Sequence, residues 1–143
     1  MDSALPDDMV ELDARHCWER LRAAGMGRLA VVVDDAPEIF PVDHAVDDAD
    51  GGPRILIRTA AGTKLFAADG RDVAFEVDGV ETRADGEHAW SVVAKGVAET
   101  VRDADELARR AASSPQPRWR SVKPHLLAVH VTSVSGRSFP VDR

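Results

Sequence analysis

The chain has 143 residues and a formal net charge of −7. This length predicts a single domain that buries roughly two-thirds of its unfolded surface around one core. The negative charge disfavours binding to nucleic acid and to anionic membrane surfaces.

Cysteine usage and hydropathy indicate the compartment. Cys17 is the only cysteine, so no internal disulfide can form. No signal peptide is recognisable, and no apolar run approaches the roughly 20 residues that a membrane-spanning helix needs. We therefore expect a cytoplasmic protein. Residues 1–12 are expected to form a flexible N-terminal tail and residues 13–143 a single domain.

The first predicted element is an amphipathic helix over residues 13–24. Cys17, Trp18 and Leu21 fall on one side of it, and Gly25 is a typical helix stop. His16 and Cys17 are adjacent, and adjacent helical positions point in directions about 100° apart, so they do not form a metal-ligand pair. Because no second pair exists, the sequence predicts no metal site.

Six β-rich runs separated by turn residues account for most of the remaining chain. The expected strands cover residues 27–33, 38–46, 54–59, 73–77, 89–101 and 124–134. Pro41 cannot donate to a ladder, which indicates an edge, a bulge or an opening of the sheet. Gly96 indicates a bend or bulge in the fifth strand. Short helices are expected over residues 64–68 and 103–112, and a mobile charged loop over residues 80–88.

The order of these elements predicts the fold class. The strands follow one another over short connections, and the βαβ rhythm of a Rossmann domain is absent. The sequence therefore predicts a mainly β (α+β) protein, a six-stranded antiparallel barrel with a few short peripheral helices.

A candidate phosphate-binding segment follows the third strand. Arg58 and Lys64 supply positive charge, and Thr59 and Thr63 supply hydroxyl donors. Gly62 allows close approach of the backbone, and the amides at the start of the expected short helix point the same way. The alternative is that Arg58 and Lys64 are solvated charges beside an ordinary strand-to-helix turn.

Side-chain catalysts are not evident from the sequence. It contains no G-x-S-x-G, no H-E-x-x-H and no Cys-His pairing at usable spacing. The five histidines are scattered, and catalytic residues stay unknown. A phosphate-binding segment without a nucleophile indicates that a cofactor carries the chemistry.

Five blocks of sequence, in this order and spacing, resemble the pyridoxamine 5'-phosphate oxidase-like family of flavin-binding split β-barrels. The likeness extends from about Asp13 to Arg137, and the ordered series carries it rather than any single block. The blocks are GRLAVVVDD, PVDHAVDDADG, ILIRTAAGTKL, VAFEVDG and WSVVAKGVAETV.

The resemblance implies a homodimer that binds FMN in a cleft between its subunits. It assigns nine positions to the cofactor: Arg58, Thr59, Thr63 and Lys64 to the phosphate, Val42, Asp43 and His44 to the side of the isoalloxazine ring, and Trp90 and Ser91 to an approach from the other subunit. Asp43 and His44 depart from the family, which usually has V-N-Y in this block. Trp90 is alternatively a core or interface residue, and Arg137 is expected to be a surface charge.

Three functions follow from this resemblance. The first is an FMN-dependent oxidoreductase acting on an unidentified small molecule. The second is a reductase of the same fold that uses the deazaflavin coenzyme F-420. The third is a non-enzymatic protein that binds flavin or haem. The absorption spectrum of the purified protein separates the three cofactors.

Overall fold

The computed structural model describes residues 8–48, 52–59, 67–102 and 125–141. Within these residues there are one α-helix and seven β-strands. In chain order they are β1 (Val10–Leu12), α1 (Ala14–Ala23), β2 (Met26–Val33), β3 (Ala36–Asp47), β4 (Arg54–Thr59), β5 (Asp72–Arg83), β6 (Gly86–Val101) and β7 (His125–Pro140).

Six of the strands close into a ring. The order is β7-β4-β3-β2-β5-β6, β6 pairs back onto β7, and every pairing is antiparallel. Closure leaves none of these six strands as a simple sheet edge, which is how antiparallel barrels avoid exposed edges. The six-stranded antiparallel split barrel expected from the sequence is confirmed.

A seventh strand extends the barrel on one side. β1 pairs with the end of β7, with Val10 opposite Ser138 and Leu12 opposite Gly136. Residues 10–12 were expected to belong to a flexible tail, but here they add a short strand. The acidic composition at the start of the chain says nothing about these three residues, because their pairing partner lies more than 120 residues away in sequence.

The barrel core follows the two-residue periodicity of the strands. Ile55 and Ile57 point into the main core with Leu29, Phe75 and Val129. Leu56 lies between them on the opposite face and joins a second, smaller apolar cluster with Val101, Leu126 and Ala128. Burial of both faces explains why ILI reads as a continuous apolar run rather than an alternating one.

Helix α1 begins and ends within a residue of its predicted bounds. The side chain of Asp13 accepts a hydrogen bond from the backbone N–H of His16 at 2.8 Å and so caps the first turn. This N–H lowers the pKa of the Asp13 carboxyl. Cys17 and Leu21 are fully buried against the barrel, and burial raises the pKa of the Cys17 thiol.

Strand β3 changes partner along its length. Its first part, up to Asp43, pairs with β2, and its last part, from His44 to Asp47, pairs with β4. Pro41 lies in the first part, opposite Arg28 and outside the stretch that pairs with β4, so its missing N–H removes no hydrogen bond to β4. Of the edge, bulge or opening expected at this proline, the described pairings favour an edge, because the rungs to β4 begin only at His44.

A bulge interrupts the pairing of β6 with β7. Lys95 is opposite Ser133 and Gly96 is opposite Val131, so Thr132 is the extra residue. A Cβ on Gly96 would lie 2.1 Å from the carbonyl oxygen of His130. The bulge predicted at Gly96 is confirmed, but the inserted residue is on the opposite strand.

The prediction of a mobile charged loop over residues 80–88 is wrong. β5 continues to Arg83, β6 begins at Gly86, and the rungs run without interruption from Val80–Ala89 to Arg83–Gly86. Gly86 has φ +126°, a conformation that favours glycine in a tight turn. The helix expected over residues 103–112, and residues 64–66 of the other short helix, lie outside the described part of the chain.

Candidate cofactor site

Arg58 stands near the end of β4, just before residues 60–66. It pairs with Leu126 of β7 and is half-buried. On β4 it shares a face with Leu56, so the guanidinium belongs to the outer side of the barrel. β4 ends at Thr59, while Thr63 and Lys64 lie outside the described residues. The structure therefore places one fixed cation of the predicted phosphate-binding segment at one end of the barrel.

The block Val42, Asp43 and His44 lies where β3 changes partner. All three side chains are buried, at 6%, 4% and 4% exposure. Burial to this degree leaves little side-chain surface for a ring system to contact. The assignment of these residues to the side of the isoalloxazine ring stays a prediction, and within one chain these side chains mainly serve the interior.

His44 has a specific structural role. Its Nε2 lies 2.8 Å from the backbone carbonyl oxygen of Leu21. A carbonyl can only accept, so Nε2 carries the proton and donates. Leu21 O is among the last four carbonyls of α1, which have no partner inside a helix. The imidazole also packs on Phe75, with ring centroids 4.6 Å apart.

Trp90 lies near the start of β6 and is half-buried. The guanidinium carbon of Arg20, on α1, lies 4.6 Å from the centre of the indole ring, within the range of a cation–π contact. On β5, Gly79 is the rung partner of Trp90, and a Cβ there would lie 2.8 Å from the indole Cζ2. Ser91 is the next residue of the strand, between Asp78 and Arg137.

An acidic cleft of about 330 Å³ lies beside Trp90 and Ser91, and Glu76, Asp78 and Phe139 help to line it. Arg28 Nη1 donates to Glu76 Oε1 at 3.0 Å and to Asp78 Oδ2 at 3.1 Å. Burial raises the pKa of Glu76, and the hydrogen bond with Asp78 and its negative charge add to the rise. The cleft thus presents an aromatic ring and a hydroxyl beside two carboxyl groups bridged by one arginine.

The two halves of the predicted site lie at opposite ends of β7. Arg58 pairs at Leu126 and Trp90 at Ser138, and these positions are twelve residues apart on the same strand. At about 3.3 Å per residue, the path along β7 between them is about 40 Å. Within one protomer, the two predicted halves of the site are therefore far apart along this strand.

Sequence reasoning missed Arg20 and Glu81. The side chain of Glu81 accepts from Arg20, 61 residues away, and from Arg83 Nε at 2.6 Å. These two donors, Arg20 first, lower the pKa of Glu81. Helical periodicity puts Arg20 on the polar side of α1, but no local pattern identifies Glu81 or Trp90 as its neighbours.

The described residues present neither a cluster of metal ligands nor a membrane-spanning helix. In that part of the chain, no group of three or more His, Cys, Asp or Glu side chains is arranged to hold a metal ion. The helix described there is neither long enough nor apolar enough to cross a membrane.

The ring of six antiparallel strands defines a split β-barrel. The family model for pyridoxamine 5'-phosphate oxidase matches residues 13–138, which is most of the chain. The chain belongs to the pyridoxamine 5'-phosphate oxidase family, as its five sequence blocks predicted.

Similar proteins are found in Mycobacterium and Corynebacterium species. The structure of an FAD-binding protein from Mycobacterium smegmatis is 34% identical, with a TM-score of 0.75, and the match covers 92% of this chain and 98% of that one. A conserved protein of unknown function from Corynebacterium diphtheriae is 35% identical, with a TM-score of 0.77 and coverage of 93% and 99%. An uncharacterized protein of Mycobacterium tuberculosis is 32% identical over 104 residues, 71% of this chain and 67% of that protein.

Proposed function

We propose that this protein is a flavin-dependent oxidoreductase that binds FMN in a cleft between two copies of the chain. The observation that carries the proposal is the family match over residues 13–138, which contains every position assigned to the cofactor. The relative from M. smegmatis is named as an FAD-binding protein, which supports a flavin as the cofactor.

Arg58, Thr59, Thr63 and Lys64 hold the phosphate in this proposal. Arg58 offers parallel donors and Lys64 a compact charge, so the two side chains contribute differently. The half-buried position of Arg58 at the end of a strand suits this role, because a guanidinium held on a rigid element loses little freedom on binding. A local cation is also needed to attract an anionic cofactor to a chain of net charge −7.

Trp90 and Ser91 of the second copy complete the site. The path of about 40 Å along β7 between the two halves supports this arrangement. A two-fold axis would bring the Arg58 end of one copy to the Trp90 end of the other and generate two equivalent sites. The backbone of the Val42–Asp43–His44 block then borders the ring from the barrel side. The three side chains are buried, so they hold this backbone in place and do not face the cofactor.

A bound flavin would supply electron transfer between a small-molecule substrate and a reductant. The residues of this chain would bind the phosphate, orient the ring and exclude water from it. No described residue is needed as a nucleophile. Turnover with a reduced nicotinamide and an acceptor separates an enzyme from a flavin carrier.

The test is titration of the cofactor-free dimer with FMN, FAD, coenzyme F-420 and haem, followed by absorption spectroscopy. FMN or FAD is expected to bind, and the Arg58→Ala/Lys64→Ala double variant is expected to bind about 10- to 100-fold more weakly for each charged hydrogen bond lost. Arg54→Ala is the matched control, since Arg54 lies on the same strand and face, four residues away.

The outcomes separate the alternatives. Tight binding of coenzyme F-420 or haem in place of a flavin would replace the cofactor while keeping the fold. Equal flavin affinity in the double variant and the parent would show that the phosphate lies elsewhere. Flavin binding without turnover would leave a carrier or sensor. A cytoplasmic location also stays a prediction.

A further inference from the structure

Helix α1 reaches Trp90 through a single side chain. The guanidinium of Arg20 lies over the indole ring at 4.6 Å from its centre. Trp90 itself is on β6, which is separated from α1 in the sequence by strands β2 to β5. A cation held over an aromatic face restrains the ring in both distance and tilt, because the attraction acts along the ring normal.

Arg20 is in turn held in place by β5. Glu81 accepts from Arg20 and from Arg83, and Arg83 Nη2 donates to Ser138 Oγ on β7 at 3.4 Å. The side chains of Arg20 and Glu81 are each 27% exposed, so solvent only partly screens the pair. This chain of contacts joins α1, β5 and β7 around Trp90.

A second constraint on the indole ring comes from the backbone of β5. Gly79 is the rung partner of Trp90, and a Cβ there would lie 2.8 Å from Cζ2, 3.0 Å from Cε2 and 3.2 Å from Nε1 of the indole. These distances are below normal van der Waals contact, so any other residue at position 79 would displace the ring. The indole therefore packs against both the backbone of Gly79 and the guanidinium of Arg20.

We propose that Arg20 is a positioning residue of the flavin site, which sets the orientation of Trp90 toward the cofactor bound to the partner copy. This inference rests on the proposed function, because it requires that Trp90 contacts the flavin. It adds a residue outside all five family blocks, and it makes the seating of α1 on the barrel a determinant of flavin affinity.

The experiment measures the ring position and the flavin affinity separately, in the full-length chain. Tryptophans are replaced with 5-fluorotryptophan, and the ¹⁹F resonances are assigned with Trp18→Phe and Trp90→Phe. Arg20→Met keeps an apolar side chain of similar length without its charge. It is expected to shift the Trp90 resonance in the cofactor-free protein and to weaken flavin binding about threefold to tenfold.

Arg22→Met is the matched control on the same helix. Arg22 lies over Trp18, 5.7 Å from its ring centre, and pairs with Asp48 at 2.5 Å. This variant should move the Trp18 resonance and leave both the Trp90 resonance and the flavin affinity unchanged. Arg20→Lys, which retains a cation, should recover much of the affinity. Glu81→Gln, which loosens Arg20 without removing it, should shift Trp90 in the same direction by less.

Each outcome bears on a different statement. If the parent protein binds no flavin, the proposed function fails and this inference fails with it. If the parent binds flavin but Arg20→Met binds it as tightly, or leaves the Trp90 resonance unmoved, only the positioning role is overturned. Should Arg20→Met fail to fold, the same two measurements on Glu81→Gln decide the matter: an unchanged Trp90 resonance and an unchanged flavin affinity in that variant would overturn the role.

Discussion

Gly96 determines how closely β6 and β7 approach at the bulge. Its Cα faces the backbone of the partner strand, and a Cβ would lie 2.1 Å from His130 O and 2.9 Å from Val131 Cα. Both of these are backbone atoms, which cannot rotate out of the way as a flexible side chain can. The bulge residue Thr132 donates its hydroxyl to Lys95 O at 3.2 Å and so reinforces the same crossing.

Gly96→Ala is therefore expected to destabilise the fold by roughly 1–3 kcal/mol or more, since the strands must separate to admit a methyl group. The free energy of unfolding in urea measures this cost. Lys95→Ala is the neighbouring control, and as a change at an exposed position it should stay within about 0.5 kcal/mol of the parent. A Gly96→Ala variant as stable as Lys95→Ala would contradict the assigned close contact.

Glu81 and Glu76 lie on the same strand, but their pKa values are shifted in opposite directions. Hydrogen bonds from Arg20 and Arg83 lower the pKa of Glu81. Burial and the neighbouring Asp78 raise the pKa of Glu76, with Arg28 opposing them. A lowered pKa in the folded state stabilises the protein above the unfolded pKa and loses that contribution as pH falls. A raised pKa has the reverse effect.

We expect Glu81→Gln to reduce stability by about 0.5–1 kcal/mol near pH 7, with the difference from the parent shrinking as pH falls from about 5 through the lowered pKa. Unfolding curves between about pH 3 and 7 provide the measurement. Glu76→Gln is the control with the opposite sign: its parent-minus-variant difference should fall as pH rises above about 4. Parallel pH profiles for the two variants would show that the opposing shifts are incorrect.

At the scale of elements, the contact between α1 and β3 joins the helix to the point where β3 changes partner. His44 donates to Leu21 O at 2.8 Å from a side chain that is 4% exposed. The backbone N–H of His44 also donates to Gly25 O at 3.2 Å. Side chain and main chain of one residue thus hold the C-terminal turn of α1 and the connection that follows it.

Replacing His44 with Phe keeps an aromatic ring beside Phe75 and removes the donor to Leu21 O. The buried carbonyl loses its partner, so we expect a loss of roughly 1–3 kcal/mol in the cofactor-free protein. Thermal or urea unfolding without flavin measures it. His44→Gln, which retains an N–H donor, should be less destabilised. If the two variants were equally stable, the hydrogen bond to the helix would contribute nothing, and His44 would matter chiefly for the cofactor.

At the scale of the whole molecule, the separated halves of the site give a test based on mixing subunits. Arg58→Ala and Trp90→Ala protomers each break both sites of their own homodimer if the cleft is shared. A heterodimer of the two carries one site with both substitutions and one site with neither. Random mixing then restores about a quarter of the tight sites.

Flavin titration of the refolded mixture measures this recovery against the two separate variants. The control mixes parent protein with an Arg58→Ala/Trp90→Ala double variant, where every site of the heterodimer carries one substitution and tight sites are lost. A site contained in one protomer predicts no recovery in the first mixture and no loss in the second, so either result would remove the shared cleft.

Much of the fold was predictable from local sequence pattern. Alternating and continuous apolar runs placed the strands, and the amphipathic pattern with Gly25 as its stop placed α1, because these signals act between residues close in the chain. The predicted loop over residues 80–88 was wrong for a physical reason. Charged composition indicates exposure to solvent, and an exposed hairpin ladder satisfies its backbone hydrogen bonds as well as a buried one does.

The sequence by itself determined the family, the six barrel strands, the bulge at Gly96 and the residue types available to a phosphate. Each depends on spacing along the chain, where periodicity and backbone geometry act directly. Only the tertiary structure decided that Arg20 covers Trp90, that His44 holds α1, and that Arg58 and Trp90 lie at opposite ends of β7. These contacts and separations arise because closing the barrel fixes the register of all six strands together, which brings distant residues into contact and keeps the two halves of the site apart.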